Sequence, residues 1–150
     1  MAKILVIDDD QAACDALSRS LKHAGHEVSS ARDAAGGLEA FRSGKPEIVL
    51  LDINLPDMDG LGVLETIKAE SPETVVIIIT GRADVKTPVQ ALRKGAFDYL
   101  LKPLEHEELE ICVQRALRES EMRRQLKEAQ AQLIQSEKMS ALGRLAAGLA

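Results

Sequence analysis

The sequence predicts an α/β protein, a doubly wound parallel sheet of five strands with helices on both faces, followed by one long helix. Five short aliphatic or β-branched runs alternate with amphipathic segments of helical period, the pattern of successive βα units. Three of those runs are almost uniformly apolar, as central strands covered on both faces have to be. From Glu105 onward no proline or glycine interrupts the chain until Gly143, so the last segment reads as a single extended helix.

The elements follow in order. "KILVI" (3–7) is the first strand, and Asp10 is placed to cap a helix carrying Ala13, Leu17 and Leu21 that ends near Gly25. "HEVSSA" (26–31) carries polar residues that suit a sheet edge, and residues 34–41 form a second helix stopped by "SGKP". "EIVLL" (47–51) and "TVVIII" (74–79) are central strands on either side of a third helix, 61–69. Pro88 disfavours helical geometry at Thr87 but fits the first helical position with Thr87 as cap, which predicts a long loop over 81–86 before the fourth helix. "FDYLL" (97–101) completes the strands.

At 150 residues the chain has room for one domain with a substantial core plus an extension, divided here as 1–120 and 121–150. A net charge of -5, with both signs dispersed, provides no basic footprint, so no nucleic-acid partner is expected. No run approaches the roughly 20 apolar residues of a membrane span, and Met1 leads straight into a strand without signal-peptide regions, so a cytoplasmic protein is expected. Cys14 and Cys112 stand far apart on helical patterns without zinc-ligand spacing and read as buried thiols. In the extension Leu109, Val113, Leu117, Leu126, Leu133, Met139, Leu142, Leu145 and Leu149 punctuate a charged background, with Met122, Ala129 and Ser136 in a weaker second register. Such a helix would run about 65 Å at 1.5 Å per residue, beyond the span of the domain. Its apolar stripe calls for a partner helix, and a parallel coiled-coil homodimer is expected.

The residues that carry chemistry fall at the carboxyl ends of the strands, where open parallel sheets bind ligands. Asp8 and Asp9 follow the first strand, Asp52 the third, Thr80 the fourth and Lys102 the fifth. Taken singly, "DDD" is a capping cluster, and "LPDMDG" a polar turn in which Gly60 supplies a conformation other residues resist. Taken together, three carboxylates, a hydroxyl and an ammonium converge on one pocket. Carboxylates about 4 Å apart repel by roughly 4 kcal/mol at an effective dielectric near 20, so a cation is needed to keep them ionised. Oxygen ligands without histidine or thiolate select a hard ion, Mg²⁺ before zinc. Beside such an ion a carboxylate can attack a phosphoryl group, and the pocket is suited to forming and holding an aspartyl phosphate.

"ILVIDDD", "VLLDINLPDMDG", "IIITGRADV" and "GAFDYLLKP" resemble the signature segments of the response-regulator receiver domain, the CheY-like module of two-component signalling, over about residues 3–120. The resemblance implies a flavodoxin-like sheet of order 2-1-3-4-5 and Asp52 as phosphoacceptor, taking its phosphoryl group from a phosphohistidine on a donor protein. It implies Mg²⁺, with Mn²⁺ as an alternative, held directly by Asp9, through water by Asp8, and by Asp52 and the main-chain carbonyl of Asn54. Lys102 and Thr80 would contact the phosphoryl group, Lys102–Pro103 would be cis, and Thr80 and Tyr99 would form the switch read out on the fourth helix, fifth strand and fifth helix. Arg82, two residues past Thr80, is expected to overhang the site and alter phosphoryl lifetime.

The tail over 135–150, "SEKMSALGRLAAGLA" within it, resembles the opening helix of a histidine kinase dimerisation domain. None of His23, His26 and His106 occupies the position of a kinase's phosphorylated histidine, and no nucleotide-binding domain is present, so no kinase activity is expected of this chain. That resemblance makes the N-terminal part of a histidine kinase the leading expectation for the parent protein, with a free-standing response regulator using a coiled-coil output as the alternative. A Mg²⁺-dependent aspartyl phosphatase would place a second acid two residues after its nucleophile, where Asn54 stands, and a purely structural coiled coil would leave the acid pocket without a role.

Overall fold

The computed structural model describes residues 1–81 and 86–149. The elements run β1 (Lys3–Ile7), α1 (Gln11–His23), β2 (Glu27–Ala31), α2 (Ala34–Gly44), β3 (Ile48–Asp52), α3 (Gly60–Glu70), β4 (Val75–Thr80), α4 (Lys86–Arg93), β5 (Asp98–Leu101) and α5 (His106–Leu149). The strands form one parallel flavodoxin-like sheet of order β2-β1-β3-β4-β5. The chain divides into two compact units, Met1–Ser120 and Glu121–Ala150.

Because side chains alternate across a strand, each central strand feeds two cores. Ile4 and Val6 of β1, Ile48 and Leu50 of β3 and Ile77 and Ile79 of β4 pack with Cys14, Leu17 and Leu21 of α1 and with Leu109, Cys112, Val113 and Ala116 of α5. Their neighbours Leu5, Ile7, Val49, Leu51, Val76 and Ile78 pack on the other face with Phe41 of α2, Val63, Leu64 and Ile67 of α3 and Ala91 of α4. Each such side chain, fully buried, contributes about 1.5–3 kcal/mol, so the uniformly apolar strands are the largest stabilising feature of the first unit. β2 is the polar edge, with three of its five residues exposed.

Several boundaries differ from the sequence expectation. Asp52 and Thr80 are the last residues of their strands, paired with Ile79 and Leu101, rather than the first residues after them. α2 continues through Gly44 to a left-handed cap at Lys45 (φ 48°), because Arg42 and Ser43 extend the last turn before Pro46 can stop it. α4 begins at Lys86, so Pro88 sits within its first turn; the first four N–H groups of a helix lack intrahelical partners, and a proline there costs no bond. The expected loop over 81–86 is therefore shorter by Lys86, and its residues 82–85 lie outside the described residues.

Gly60 is required for a different reason from the one its turn suggests. It does not lie at positive φ. Instead, a Cβ there would stand 2.5 Å from Ile53 Cα and 2.7 Å from the Asp52 carbonyl oxygen, so the start of α3 packs directly on the backbone leaving β3. Both cysteines are buried and free. The Cys14 thiol donates to the Asp8 carbonyl at 3.1 Å, and burial, aided by Asp98, pushes the Cys112 thiol up to about 12. Among the described residues no helix is long and apolar enough to cross a membrane.

Candidate functional site

Each acid of the site is placed by a strand end. β1 delivers Asp8, whose backbone N–H continues the ladder to the Ala31 carbonyl at 3.0 Å, and the next two residues turn into α1 under the Asp10 cap, which accepts from Ala12 N at 3.0 Å. β3 ends on Asp52. Carboxylate oxygens of Asp8, Asp9 and Asp52 lie within 4.8 Å of one another, the only such ligand group among the described residues. Asp8 and Asp52 are buried while Asp9 is exposed, so the cluster is open to solvent on one side.

Lys102 arrives from β5. Its backbone N–H donates to the Thr80 carbonyl at 2.8 Å, extending the β4–β5 ladder by one bond and fixing the lysine opposite the acids. Its Nζ stands 2.5 Å from Asp8 Oδ2 and 3.1 Å from Asp52 Oδ2. Burial alone would lower its pKa, but the hydrogen bonds and charges of Asp8 and Asp52 outweigh that and raise it. Burial raises the Asp52 carboxyl, and Asp8 adds to the rise; the Asn54 N–H and Lys102 oppose it without cancelling it. Three carboxylates thus face one ammonium, a charge deficit that a divalent cation would offset. The donor set fits such an ion: all oxygen, close together and open to water, the chemistry of Mg²⁺ or Mn²⁺ sites rather than of zinc.

Thr80 is fully buried, and its Oγ1 accepts from Asn54 Nδ2 at 3.5 Å. Asn54 also donates its backbone N–H to Asp52 Oδ1 at 2.9 Å. Tyr99 is half-buried against the second core and lines a cleft of about 360 Å³ that also takes in Asp9, Asn54, Asp59, Thr87 and Gln90. The structure therefore brings together Asp8, Asp9, Asp52, Asn54, Thr80 and Lys102, with Tyr99 on the adjoining cleft. The Lys102–Pro103 peptide is cis. Arg82 lies outside the described residues.

Two features escaped the sequence reading. One is the direct pairing of Lys102 with Asp8, between the ends of β1 and β5. The other is Asp57, whose carboxylate accepts from the N–H groups of Ala34 at 2.8 Å and Ala35 at 3.0 Å. Its partners lie more than twenty residues back in sequence, and no local pattern announces such a contact.

An open parallel sheet with this acid cluster, lysine and buried hydroxyl at its carboxyl edge defines a class, and residues 4–114 match it: the chain belongs to the response regulator receiver domain family. Regulatory protein AtoC of Escherichia coli K12 is 38% identical over 125 residues, covering 83% of this chain and 27% of that protein. The nitrogen assimilation regulatory protein NtrX of Azorhizobium caulinodans is 35% identical over 127 residues, covering 83% and 28% respectively. Among solved structures, NtrX from Brucella abortus superposes with a TM-score of 0.80 at 37% identity, over 85% of this chain and 29% of that one. A receiver domain protein from Clostridium thermocellum superposes at 0.78 and 33% identity, over 81% of this chain and 98% of its own.

The chain spans little more than a quarter of the curated relatives it matches. These relatives are named as regulatory proteins, and the expectation that the chain is part of a histidine kinase is not supported. A helix of spaced leucines among charges meets a requirement that any long amphipathic helix shares, so the likeness of the tail carried little information about family. The exclusion of nucleic acid is also corrected in scope. NtrC of Escherichia coli K12, 40% identical over 114 residues that make up 24% of its length, is named a DNA-binding transcriptional regulator, and the charge of 150 residues does not speak for a longer protein.

Proposed function

We propose that this receiver domain takes a phosphoryl group from a phosphohistidine donor protein onto Asp52 and passes the change to an output through its C-terminal helix. The observation that carries the reading is the juxtaposition of Asp52 with two further carboxylates and Lys102 at the sheet's carboxyl edge. Asp8, Asp9, Asp52 and the carbonyl of Asn54 would hold Mg²⁺, which when bound supplies the positive charge that lets an anionic carboxylate approach an anionic phosphoryl group. An Asp52 oxygen attacks phosphorus, the phosphorus–nitrogen bond to the imidazole breaks, and the imidazole leaves with that electron pair. Lys102 and Thr80 then hold the phosphoryl oxygens. Thr80 moving toward them frees space into which Tyr99 turns from its cleft, and the added charge, near -2, shifts the balance between two packings that differ by a few kcal/mol. The altered face is α4, β5 and α5.

The relatives are named as regulators of transcription or nitrogen assimilation, and we read α5 as the connection to an output of that kind. Met122, Leu126, Leu133, Ile134, Met139 and Leu142 are exposed along it, which supports pairing with the same helix of a second copy. With Mg²⁺ and a small acyl phosphate, intact mass should rise by one phosphoryl group, and Asp52→Asn should show no such gain. Equal gain in the variant would exclude Asp52 as acceptor.

A further inference from the structure

The four leading N–H groups of a helix have no partners within it and have to find them elsewhere. At α2, Asp33 takes the Gly36 N–H at 2.7 Å from its own side of the helix. The Ala34 and Ala35 N–H groups are instead taken by both oxygens of Asp57, which belongs to the β3–α3 loop. That loop starts at Asp52 and carries Asn54. Other hydrogen bonds lie within the loop or join it to the start of α3: Asn54 N to Asp52 Oδ1, Gly60 N to the Ile53 carbonyl, and Leu61 N to Asp59 Oδ1. Among the described residues its hydrogen-bonded ties to elements other than α3 include the Asp57 clamp, at 2.8 and 3.0 Å, the Lys102 Nζ bond to Asp52 Oδ2 at 3.1 Å and the 3.5 Å contact of Asn54 with Thr80. The clamp is the shortest of these and uses both oxygens of its carboxylate.

We propose that Asp57 is a positioning residue: by clamping the N-terminus of α2 it holds the β3–α3 loop in the shape in which Asp52 and Asn54 receive a divalent cation. The inference rests on the function proposed above. It needs no contact between Asp57 and the ion. Asp57 acts as partners outside a metal's immediate ligands generally do, by restricting the ligands that touch it. Free-energy coupling is reciprocal, so an ion bound at the acid cluster must in turn tighten the clamp.

Asp57 and Asp33 cap the same helix end, but only Asp57 ties it to the loop, so the pair separates positioning from simple helix stabilisation. The full chain should be titrated with Mg²⁺ by calorimetry, alongside amide hydrogen exchange at Ala34 and Ala35. Asp57→Ala should weaken Mg²⁺ binding by on the order of tenfold, with Asp57→Asn, which keeps one acceptor oxygen, in between and Asp33→Ala unchanged. In the unmodified protein Mg²⁺ should slow exchange at both amides, and in Asp57→Ala it should not. Unaltered Mg²⁺ affinity in Asp57→Ala, or an equal loss in Asp33→Ala, would overturn the inference while leaving Asp52 phosphorylation intact as a separate result. Failure of the unmodified protein to bind Mg²⁺ at all would overturn both.

Discussion

His26 begins β2's approach to the sheet and is buried, with its Nδ1 accepting from Ala2 N at 3.2 Å. That bond requires Nδ1 to be unprotonated. Burial and then the N-terminal amine lower its pKa from the ordinary 6.5, against weaker opposing pulls from Glu110 and Glu47. A histidine whose folded pKa is depressed binds protons more readily when unfolded, so stability rises with pH across the interval between the two values. The contribution is complete above about pH 6.5 and is lost as pH falls below it. Thermal midpoints measured at pH 7.5 and 5.5 should fall on acidification, and fall less in His26→Gln, whose amide oxygen can accept the same bond without charging. Equal falls would assign the acid sensitivity to other groups. Asp8, Asp52 and Lys102 belong to the same scale, and their residue types and their places at strand ends were legible from the sequence. The Lys102–Asp8 pairing was not, because it depends on how β1 and β5 are disposed across the sheet.

Among the elements, the β3–α3 connection shows how tightly the site is bound to its scaffold. Asp59 caps α3, and Gly60 N donates to the Ile53 carbonyl at 2.9 Å, so the helix starts pressed against the strand that ends in Asp52. Gly60→Ala should destabilise the protein by about 1–3 kcal/mol, since the clash is with backbone that cannot rotate away. Denaturant titration would show it as a lowered midpoint with an unchanged slope. An unchanged midpoint would mean that the loop yields freely, contrary to the close approach seen here. The same connection shows the limits of local reading. "LPDMDG" announces a turn and a cap, but the role of Asp57 exists only because α2 brings two free N–H groups beside it. α4 shows the converse case: Pro88 correctly marked a helix start but not its first residue, because a proline is tolerated anywhere among the leading unpaired N–H groups.

For the molecule as a whole, every buried apolar side chain of both cores lies within residues 2–116. The first unit therefore carries both cores, and the Clostridium thermocellum receiver, 98% of which is covered by the match, is solved at that scale. A chain of residues 1–120 should unfold cooperatively, take up one phosphoryl group with Mg²⁺, and sediment as a monomer, whereas the full chain should sediment as a dimer. A dimeric truncated chain would place the self-association outside the helical extension, and an unfolded one would show that the extension stabilises the domain. The sequence by itself determined the alternation of strands and helices, the two-sided burial of the central strands and the residue types at the sheet's carboxyl edge. Those are consequences of periodicity and composition, which act over a few residues. Only the tertiary structure decided which strand ends face one another, that Lys102 pairs with Asp8, that Gly60 is excluded from bearing a side chain by a neighbouring backbone, and that Asp57 reaches α2. The Gly60 contact closes within the β3–α3 connection, and the others join segments far apart in the chain, set by parallel strand order and helix packing, which no local pattern encodes.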